Sequence, residues 1–320
     1  MAASAPRLAS VSVDLDPVSC YYRIFGLGPH PPAIADVVFR RGLPRFLEVL
    51  AAHQLRATFF VVGQDIAGSS AIALAARASL REVIAAGHEV GNHTLTHPYE
   101  LARLPRARIA DEIARGHDEI AAATGVAPVG FRAPGYAMAP AILEELEARG
   151  YRYDSSAFAA PAYYAAKAAV MGGLRLLGRP SGAVLADPRT LLAPAEPYRP
   201  DPAAPWRRGH ARLIELPIAV TPLLRIPIIG LSLALAPARL RAYLLRSMRG
   251  RALLNLGLHG LDLLDADLDG VPTELVSRQP DLALSAEAKR MALTTTLDGL
   301  GLDYRFVPLR EAAEALAAGL

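Results

Sequence analysis

The first 160 residues alternate between two patterns of apolar and polar positions. Short runs of β-branched and aromatic residues, such as Ala57 to Val62 (ATFFVV), are typical of buried strands. Between these runs, apolar residues recur every three or four positions, as at Leu104, Ile109, Ile113 and Ile120, which is typical of an amphipathic helix. Alternating strands and helices predict βα units around a parallel sheet or barrel. The predicted strands are Leu8 to Asp16, Ala57 to Val62, a short one within HEVGNH, Val129 to Arg132, Tyr151 to Ser155, Ala252 to Leu258, and one near Tyr304 to Val307.

The alternation stops at about residue 160 and resumes at about residue 250. The intervening segment is rich in Ala, Leu, Pro and Arg, and it contains an apolar helix candidate, Tyr163 to Leu177, and a proline-rich loop, Pro194 to Pro205. The strand Ala252 to Leu258 then restores the earlier pattern. We therefore expect residues 1–320 to form one barrel, with residues 160–250 as a large insertion within it.

Composition and charge exclude several classes of protein. With 34 Lys and Arg against 31 Asp and Glu, the net charge of +3 argues against a basic nucleic-acid-binding surface and against a charged disordered chain. The single cysteine, Cys20, excludes an internal disulfide and a multi-cysteine zinc site, and it favours a reducing compartment. The longest apolar run, Ile226 to Ala238, contains prolines and is shorter than the roughly 20 residues of a membrane span. Because the first residues also lack the pattern of a signal peptide, we expect a cytoplasmic protein.

Two histidines and two aspartates are the first candidates for chemistry. His93 and His97 are four positions apart, so on a helical or tightly turned segment both imidazoles could reach one divalent cation. Asp14 and Asp16 end the first predicted strand, where alternation directs both carboxylates to the same side of the carboxyl edge. Chance spacing of the histidines and helix capping by the aspartates are the structural alternatives. Together the four residues predict a metal site.

Three further motifs follow predicted strands in a specific order. They are Phe131 to Tyr136 (FRAPGY), Tyr153 to Ser156 (YDSS) and Asn255 to Gly260 (NLGLHG). With the strand ATFFVVG and the Asp and His motifs, this series resembles the NodB-homology polysaccharide deacetylase family over roughly residues 8 to 156 and 252 to 315. The resemblance implies an α/β fold, a deformed (β/α)-barrel of about seven strands, and the activity of a metal-dependent amide hydrolase.

The resemblance implies a divalent metal on Asp16, His93 and His97, with Asp14 as the general base that deprotonates the attacking water. Many members have two adjacent aspartates, whereas Leu15 separates them here. The sequence therefore leaves open which aspartate is the ligand and which is the base, and we favour Asp16 as the ligand. Two histidines and a carboxylate suit Zn²⁺ best, and Co²⁺, Ni²⁺, Mn²⁺ and Fe²⁺ are compatible with them.

The remaining motifs supply the other groups that the resemblance implies. Arg132 corresponds to the arginine that pairs with the base, His259 to the general acid that protonates the leaving amine, and Asp154 to the carboxylate that orients this acid. The third motif usually has Tyr directly after Pro, donating a backbone N–H to the oxyanion. Here Gly135 occupies that place and Tyr136 follows, so either N–H could be the donor.

Several details suggest a lipid-linked substrate. The Asp-x-Asp pair, Arg41 to Leu50 and Tyr151 to Ser155 are similar to the branch that includes the deformylase of undecaprenyl-phosphate-linked formamido-arabinose. The insertion combines the apolar run Ile226 to Ala238, Trp206 and many arginines, a composition that fits a lipid headgroup layer. Ordinary core packing with solvated arginines is the alternative. We expect a peripheral protein at the inner face of the membrane that removes acetyl or formyl from a lipid-linked amino sugar or glycolipid.

Other functions fit the same residues. One is hydrolysis of a small soluble amide or cyclic imide, as in allantoinase-like relatives, where the insertion would be a lid or an oligomer interface. Another is deacetylation of soluble oligosaccharides. A non-catalytic glycan- or lipid-binding protein fits the complete set of polar motifs less well. Asp262, in the loop after His259, is a further candidate for contact with sugar hydroxyls, and we expect no nucleic-acid partner.

Overall fold

Parallel strands connected by helices form the centre of the protein, whose computed structural model describes residues 7–320. The strands are β1 (Leu8–Asp14), β2 (Thr58–Val61), β3 (Glu89–Asn92), β4 (Gly130–Phe131), β5 (Tyr153–Asp154), β6 (Pro200–Asp201), β7 (Ala204–Arg208), β8 (Ile214–Glu215), β9 (Leu253–His259) and β10 (Arg305–Phe306). The helices are α1 (Val18–Phe25), α2 (Leu43–Ala52), α3 (Ala71–Ala85), α4 (Arg106–Thr124), α5 (Pro140–Ala148), α6 (Pro161–Leu176), α7 (Gly230–Leu235), α8 (Ala238–Ser247), α9 (Thr273–Val276), α10 (Ala286–Gly301) and α11 (Leu309–Leu316).

Seven parallel strands form a curled half-barrel in the order β9-β1-β2-β3-β4-β5-β8. The short strand β10 pairs with the beginning of β1, at Leu8 and Ala9, while β2 pairs with its end, from Ser12 to Asp14. The predicted α/β barrel with about seven strands is therefore confirmed. Because all seven strands run the same way, the residues at their carboxyl ends meet at one edge.

Strand β1 shows how the sequence separates the core from the site. All seven of its residues are buried, but they face two sides in alternation. Val11 and Val13 pack in the main apolar cluster with residues of α2 and α10. Ser12 faces the polar interior, where its hydroxyl donates to Asn255 Oδ1 at 2.8 Å. Asp14 has the same parity as Ser12, so the last carboxylate of the strand also points to the interior.

The segment between residues 160 and 250 contains both expected and unexpected elements. The predicted apolar helix is present as α6. The predicted proline-rich loop instead contains β6 and the beginning of β7, which pair antiparallel because the Asp201 carboxylate accepts the N–H groups of Ala203 and Ala204 and closes a tight turn. Strand β8, which sequence analysis did not identify, pairs with β5 and extends the main sheet. No helix within residues 7–320 is both long enough and apolar enough to cross a membrane.

Candidate active site

A buried group of one aspartate and two histidines lies at the carboxyl edge of the half-barrel. Asp16 Oδ1 is 3.2 Å from His93 Nε2 and 3.3 Å from His97 Nε2. Among the His, Cys, Asp and Glu residues of the described chain, these three form the one group whose ligand atoms lie close enough to hold a metal, within 4.8 Å of one another. Asp16 Oδ1 is also buried without a hydrogen-bond partner among these residues. A cation would satisfy this oxygen, so the residues present fit a divalent metal.

Backbone geometry prepares both imidazoles for this role. His93 follows β3, and its Nδ1 lies 2.6 Å from the carbonyl oxygen of Arg132, so Nδ1 donates and the lone pair of Nε2 faces Asp16. His97 reaches the same point because Thr94 and His97 adopt positive φ angles of 68° and 55°, which turn the chain back. Burial lowers the pKa of His97, which favours the neutral imidazole that binds metals. Although burial raises the pKa of Asp16, His97 and His93 hold it well below its ordinary value.

The second aspartate, Asp14, is held by a buried arginine. Arg132 Nη1 donates to Asp14 Oδ1 at 2.6 Å. The other guanidinium N–H groups donate to the Ser155 carbonyl at 2.9 Å, the Ser155 hydroxyl at 2.8 Å and the Ser12 hydroxyl at 2.9 Å. The guanidinium also lies over the ring of Phe60, 4.4 Å from its centroid. Since these contacts fix the position of the guanidinium, they fix the orientation of the Asp14 carboxylate, and its positive charge stabilises the ionised carboxylate.

His259 completes the polar constellation from the neighbouring strand. It ends β9 directly opposite Asp14 of β1, so both side chains point to the same face. Its Nε2 is 3.9 Å from Asp14 Oδ2 and 3.4 Å from the Tyr136 hydroxyl. The side chain is 27% exposed, whereas that of Asp14 is buried. His259 is therefore the group of this pair that a bound molecule can reach.

Comparisons with known proteins agree with this arrangement. Residues 28–153 match the family model of polysaccharide deacetylases. A chitooligosaccharide deacetylase of Bradyrhizobium sp. is 35% identical over 122 residues, which cover 38% of this chain and 48% of that protein. A peptidoglycan deacetylase of Helicobacter pylori is 29% identical over 151 residues, covering 47% of this chain and 49% of that protein. The comparisons support the NodB-homology polysaccharide deacetylase family.

A solved structure described as a polysaccharide deacetylase from Mycobacterium smegmatis shares the fold of this chain. It has a TM-score of 0.58 at 18% sequence identity, and the match covers 100% of this chain and 93% of that chain. The present chain spans about half the length of the curated relatives that it matches first.

Asp154 lies elsewhere than the family resemblance implies. Among residues 7–320, the only carboxylate within 4.0 Å of a ring nitrogen of His259 is that of Asp14. Asp154 instead accepts the Ser156 hydroxyl at 2.5 Å and lies opposite Glu215 of β8. Burial raises the pKa of Asp154 to about 6 and that of Glu215 well above its ordinary value, and the charge of Asp154 raises the latter further. The structure therefore does not bring Asp154 to His259, because β8, which the sequence did not reveal, supplies a different partner.

Tyr136 contributes its side chain to the constellation, and its N–H is already engaged. Gly135 and Tyr136 both have φ angles of 63° in the turn after Pro134. This turn closes with the Tyr136 N–H donating to the Ala133 carbonyl at 3.0 Å. Of the two N–H groups that the sequence left open, that of Tyr136 is therefore used inside the protein.

Two cations beside the metal-binding group were missed by sequence analysis. Lys167 Nζ of α6 is 5.9 Å from the ring centroid of Tyr99, and Arg23 Cζ of α1 is 5.6 Å from the same centroid. This ring packs against His97, with centroids 4.8 Å apart. Burial lowers the pKa of Lys167 to about 8, and neither cation has a carboxylate within 4.0 Å in the described part of the chain. The sequence contains one indication that Lys167 is unusual, because it is one of only two lysines among 34 basic residues.

Proposed function

We propose that this protein is a metal-dependent N-deacylase that removes an acetyl or formyl group from an amino sugar. This proposal rests on one observation. Asp16, His93 and His97 converge with Asp14 and His259 at one edge of the sheet. The names of the relatives, a chitooligosaccharide deacetylase and a peptidoglycan deacetylase, support an N-acylated amino sugar as the substrate class.

Each polar group has a distinct task in this reaction. A divalent cation, with Zn²⁺ favoured, would be held by Asp16, His93 and His97 and would supply Lewis-acid activation of water and of the amide carbonyl. Asp14 accepts the proton of the attacking water, and its orientation by Arg132 keeps an oxygen free for this proton.

The later half of the reaction needs a donor to the oxyanion and a proton for the amine. We assign the oxyanion contact to the N–H of Gly135, because that of Tyr136 donates to Ala133. His259 protonates the leaving amine, which its partial exposure allows. The Tyr136 hydroxyl, 3.4 Å from His259 Nε2, limits the orientations of the ring.

We further propose that the amino sugar is linked to a lipid through a phosphate, as in the formamido-arabinose deformylase branch. Arg23 and Lys167 flank Tyr99 next to the ligand His97, and no carboxylate neutralises them within 4.0 Å among residues 7–320. Unpaired cations at the rim of a site attract anions, and phosphate is the anion that a lipid-linked sugar carries. Arg23 also donates to the His97 carbonyl at 3.1 Å, but a neutral oligosaccharide would leave both charges without an anion.

The segment 160–250, which we propose to be an insertion into a single barrel, supplies a surface for the membrane. Residues 220–227 form a protruding hairpin, closed by the Thr221 N–H and the Ile226 carbonyl at 2.9 Å. At its tip Leu223 is 95% exposed and Leu224 is 75% exposed. Between Glu215 and Asp262 the chain has six arginines and no acidic residue. Exposed leucines and unbalanced positive charge within one segment suit an anionic lipid surface.

The structure corrects two details of the membrane prediction. Trp206 is buried, packed with Tyr198 and covered by the guanidinium of Arg189 at 4.3 Å, so it is not an interfacial aromatic residue. The apolar run from Ile226 to Ala238 is only in part accessible to a membrane, since Ile228 and Leu233 are buried whereas Leu235 is 47% exposed. The hairpin is therefore the proposed membrane contact, and a location at the inner face of the membrane stays a prediction.

The proposed function can be tested with matched substrates. We would compare an alkyl-phosphate-linked N-acyl amino sugar, the same sugar on an alkyl chain without phosphate, and chitooligomers, each as acetyl and formyl forms. Loss of the acyl mass is followed by mass spectrometry with and without a chelator. We expect chelator-sensitive loss that is fastest for the phosphate-linked lipid.

Other outcomes of this experiment contradict specific parts of the proposal. Equal rates on the two alkyl substrates would contradict recognition of a phosphate. Loss of the acyl group from chitooligomers alone would contradict a lipid-linked substrate but would still support deacylation. No loss from any substrate would overturn the deacylase and favour a hydrolase of small amides or cyclic imides.

The hairpin tip gives a separate prediction about lipid surfaces. Replacing Leu223 and Leu224 by Ser should lower partitioning onto anionic vesicles by about tenfold or more, because burial of each leucine contributes about 1.5 to 3 kcal/mol. Co-sedimentation with phosphatidylglycerol vesicles measures the effect. The matched control is Leu74→Ser, since Leu74 is 53% exposed and lies on α3, outside the segment 160–250. Equal partitioning of parent and double variant would exclude the hairpin as the contact.

A further inference from the structure

The loop after β9 places a second carboxylate against His259. Asp262 Oδ2 accepts the backbone N–H of His259 at 2.9 Å, and the Asp262 side chain is buried. Space for this carboxylate depends on Gly230, the first residue of α7, because a Cβ at that position would lie 1.8 Å from Asp262 Oδ2. The fold therefore holds the Asp262 carboxylate against the backbone of the proposed general acid, His259.

A buried lysine and a second buried aspartate lie near Asp262, on the protein-interior side of this loop. Lys289 of α10 is 2% exposed, and its Nζ has no hydrogen-bond partner among the described residues. Asp281 is 0% exposed; its Oδ1 accepts from Gln279 Nε2 at 2.7 Å, while its Oδ2 has no partner in the same part of the chain. A cavity of about 20 Å³, large enough for one water molecule, is lined by Lys289 and Asp262.

Buried charges of this kind are costly unless they compensate one another. Burial lowers the pKa of Lys289, and the negative charges of Asp281, Asp262 and Asp265 oppose this decrease. Burial raises the pKa of Asp262 to about 6, and the charges of His259 and Lys289 oppose that rise while Asp281 adds to it. The ammonium of Lys289 thus favours the ionised form of Asp262 at neutral pH.

Composition gives an independent reason to single out this lysine. Of the 34 basic residues only Lys167 and Lys289 are lysines, and Lys289 is the more deeply buried of the two. An ammonium is compact, whereas a guanidinium is a broad planar group with five donors. The cavity beside Asp262 is only about 20 Å³, so a compact ammonium suits it better than a guanidinium.

We propose that Asp262 is a positioning residue that holds His259 through its backbone N–H and places a negative charge near it, and that Lys289 acts through Asp262 by keeping it charged. This inference rests on the proposed function only in that His259 is the general acid. It gives Asp262 the role that the family resemblance assigned to Asp154. The polar groups that face the His259 ring are the Asp14 carboxylate and the Tyr136 hydroxyl, while Asp262 contacts the backbone of this residue.

Kinetics of Asp262→Asn, which can still accept the His259 N–H but has no charge, test the proposal. We expect kcat to fall about 10- to 100-fold with KM changed by less than about twofold, because the group acts on proton transfer. The alkaline limb of the kcat profile should move to lower pH, since loss of the negative charge destabilises the imidazolium. Asp267→Asn removes the same charge from an exposed position of the same loop and should change neither quantity.

Lys289→Met tests whether the lysine acts through Asp262. A methionine fills the volume without a buried charge, so we expect a folded protein. Its effect on kcat should have the same direction as that of Asp262→Asn, and the double variant should be no slower than Asp262→Asn alone. Additive effects would overturn the role of Lys289, and an unchanged kcat and pH profile in Asp262→Asn would overturn that of Asp262.

A second readout separates this inference from the proposed function. Ring signals of His259 in the zinc-loaded protein can be assigned by their absence in His259→Gln and followed by NMR against pH. We expect them to titrate at lower pH in Asp262→Asn and Lys289→Met than in the parent and in Asp267→Asn. If the parent deacylates no substrate, the proposed function fails, and this titration still decides the inference. Identical titration curves would overturn it even in an active enzyme.

Discussion

Asp14→Asn should reduce deacylation by about 10³-fold while leaving metal binding intact. The asparagine keeps the shape of the side chain and an acceptor for Arg132, which now donates to Asp14 Oδ1 at 2.6 Å. It cannot accept a proton from water, and a general base contributes about 10² to 10⁴ in rate. Turnover and metal content, the latter by elemental analysis of protein dialysed against Zn²⁺, should therefore respond differently.

Two further variants distinguish the metal ligands from the general base. His93→Ala should lose both metal and turnover, because His93 Nε2 faces Asp16 in the buried group. Asp16→Asn should weaken metal binding, unlike Asp14→Asn. If Asp14→Asn lost its metal while Asp16→Asn kept it, the roles of the two aspartates would be exchanged. Full activity of metal-loaded Asp14→Asn would refute Asp14 as the base.

The residues that sequence analysis placed together share one structural property, which is their position at or just after the end of a parallel strand. Asp14 and His259 end β1 and β9, while His93 and Arg132 follow β3 and β4. In a parallel sheet the carboxyl ends of strands meet, so the order of motifs along the chain was sufficient to predict their convergence. No knowledge of side-chain packing was needed for this part of the site.

The features that the sequence did not reveal depend on contacts between segments with no shared pattern. Strand β8 is two residues long and lies in an apolar stretch, where periodicity does not distinguish strand from helix. Its pairing with β5 decides the partner of Asp154, and so the predicted contact with His259 is not formed. Lys167 reaches Tyr99 only because α6 packs over the site, which composition and spacing do not encode.

Arg132→Met should destabilise the fold more than the removal of a charge at the surface. Arg132 is completely buried, and it connects β4 to Asp14 and Ser12 of β1 and to Ser155, which follows β5. Its loss leaves the buried carboxylate of Asp14 without its cation. Removing one partner of such a pair costs about 3 to 5 kcal/mol, more than an apolar side chain gains by filling the space.

Urea unfolding of Arg132→Met, followed by circular dichroism, measures this loss of stability. Arg40→Met is the control, because Arg40 is exposed and pairs with Asp36 at the surface, where such a pair contributes less than about 1 kcal/mol. The double variant Asp14→Asn/Arg132→Met should recover part of the loss, since the uncompensated charge is then absent. If Arg132→Met were as stable as Arg40→Met, the guanidinium would not be what keeps the Asp14 carboxylate buried, and the account of Asp14 as a fixed base would have to be given up with it.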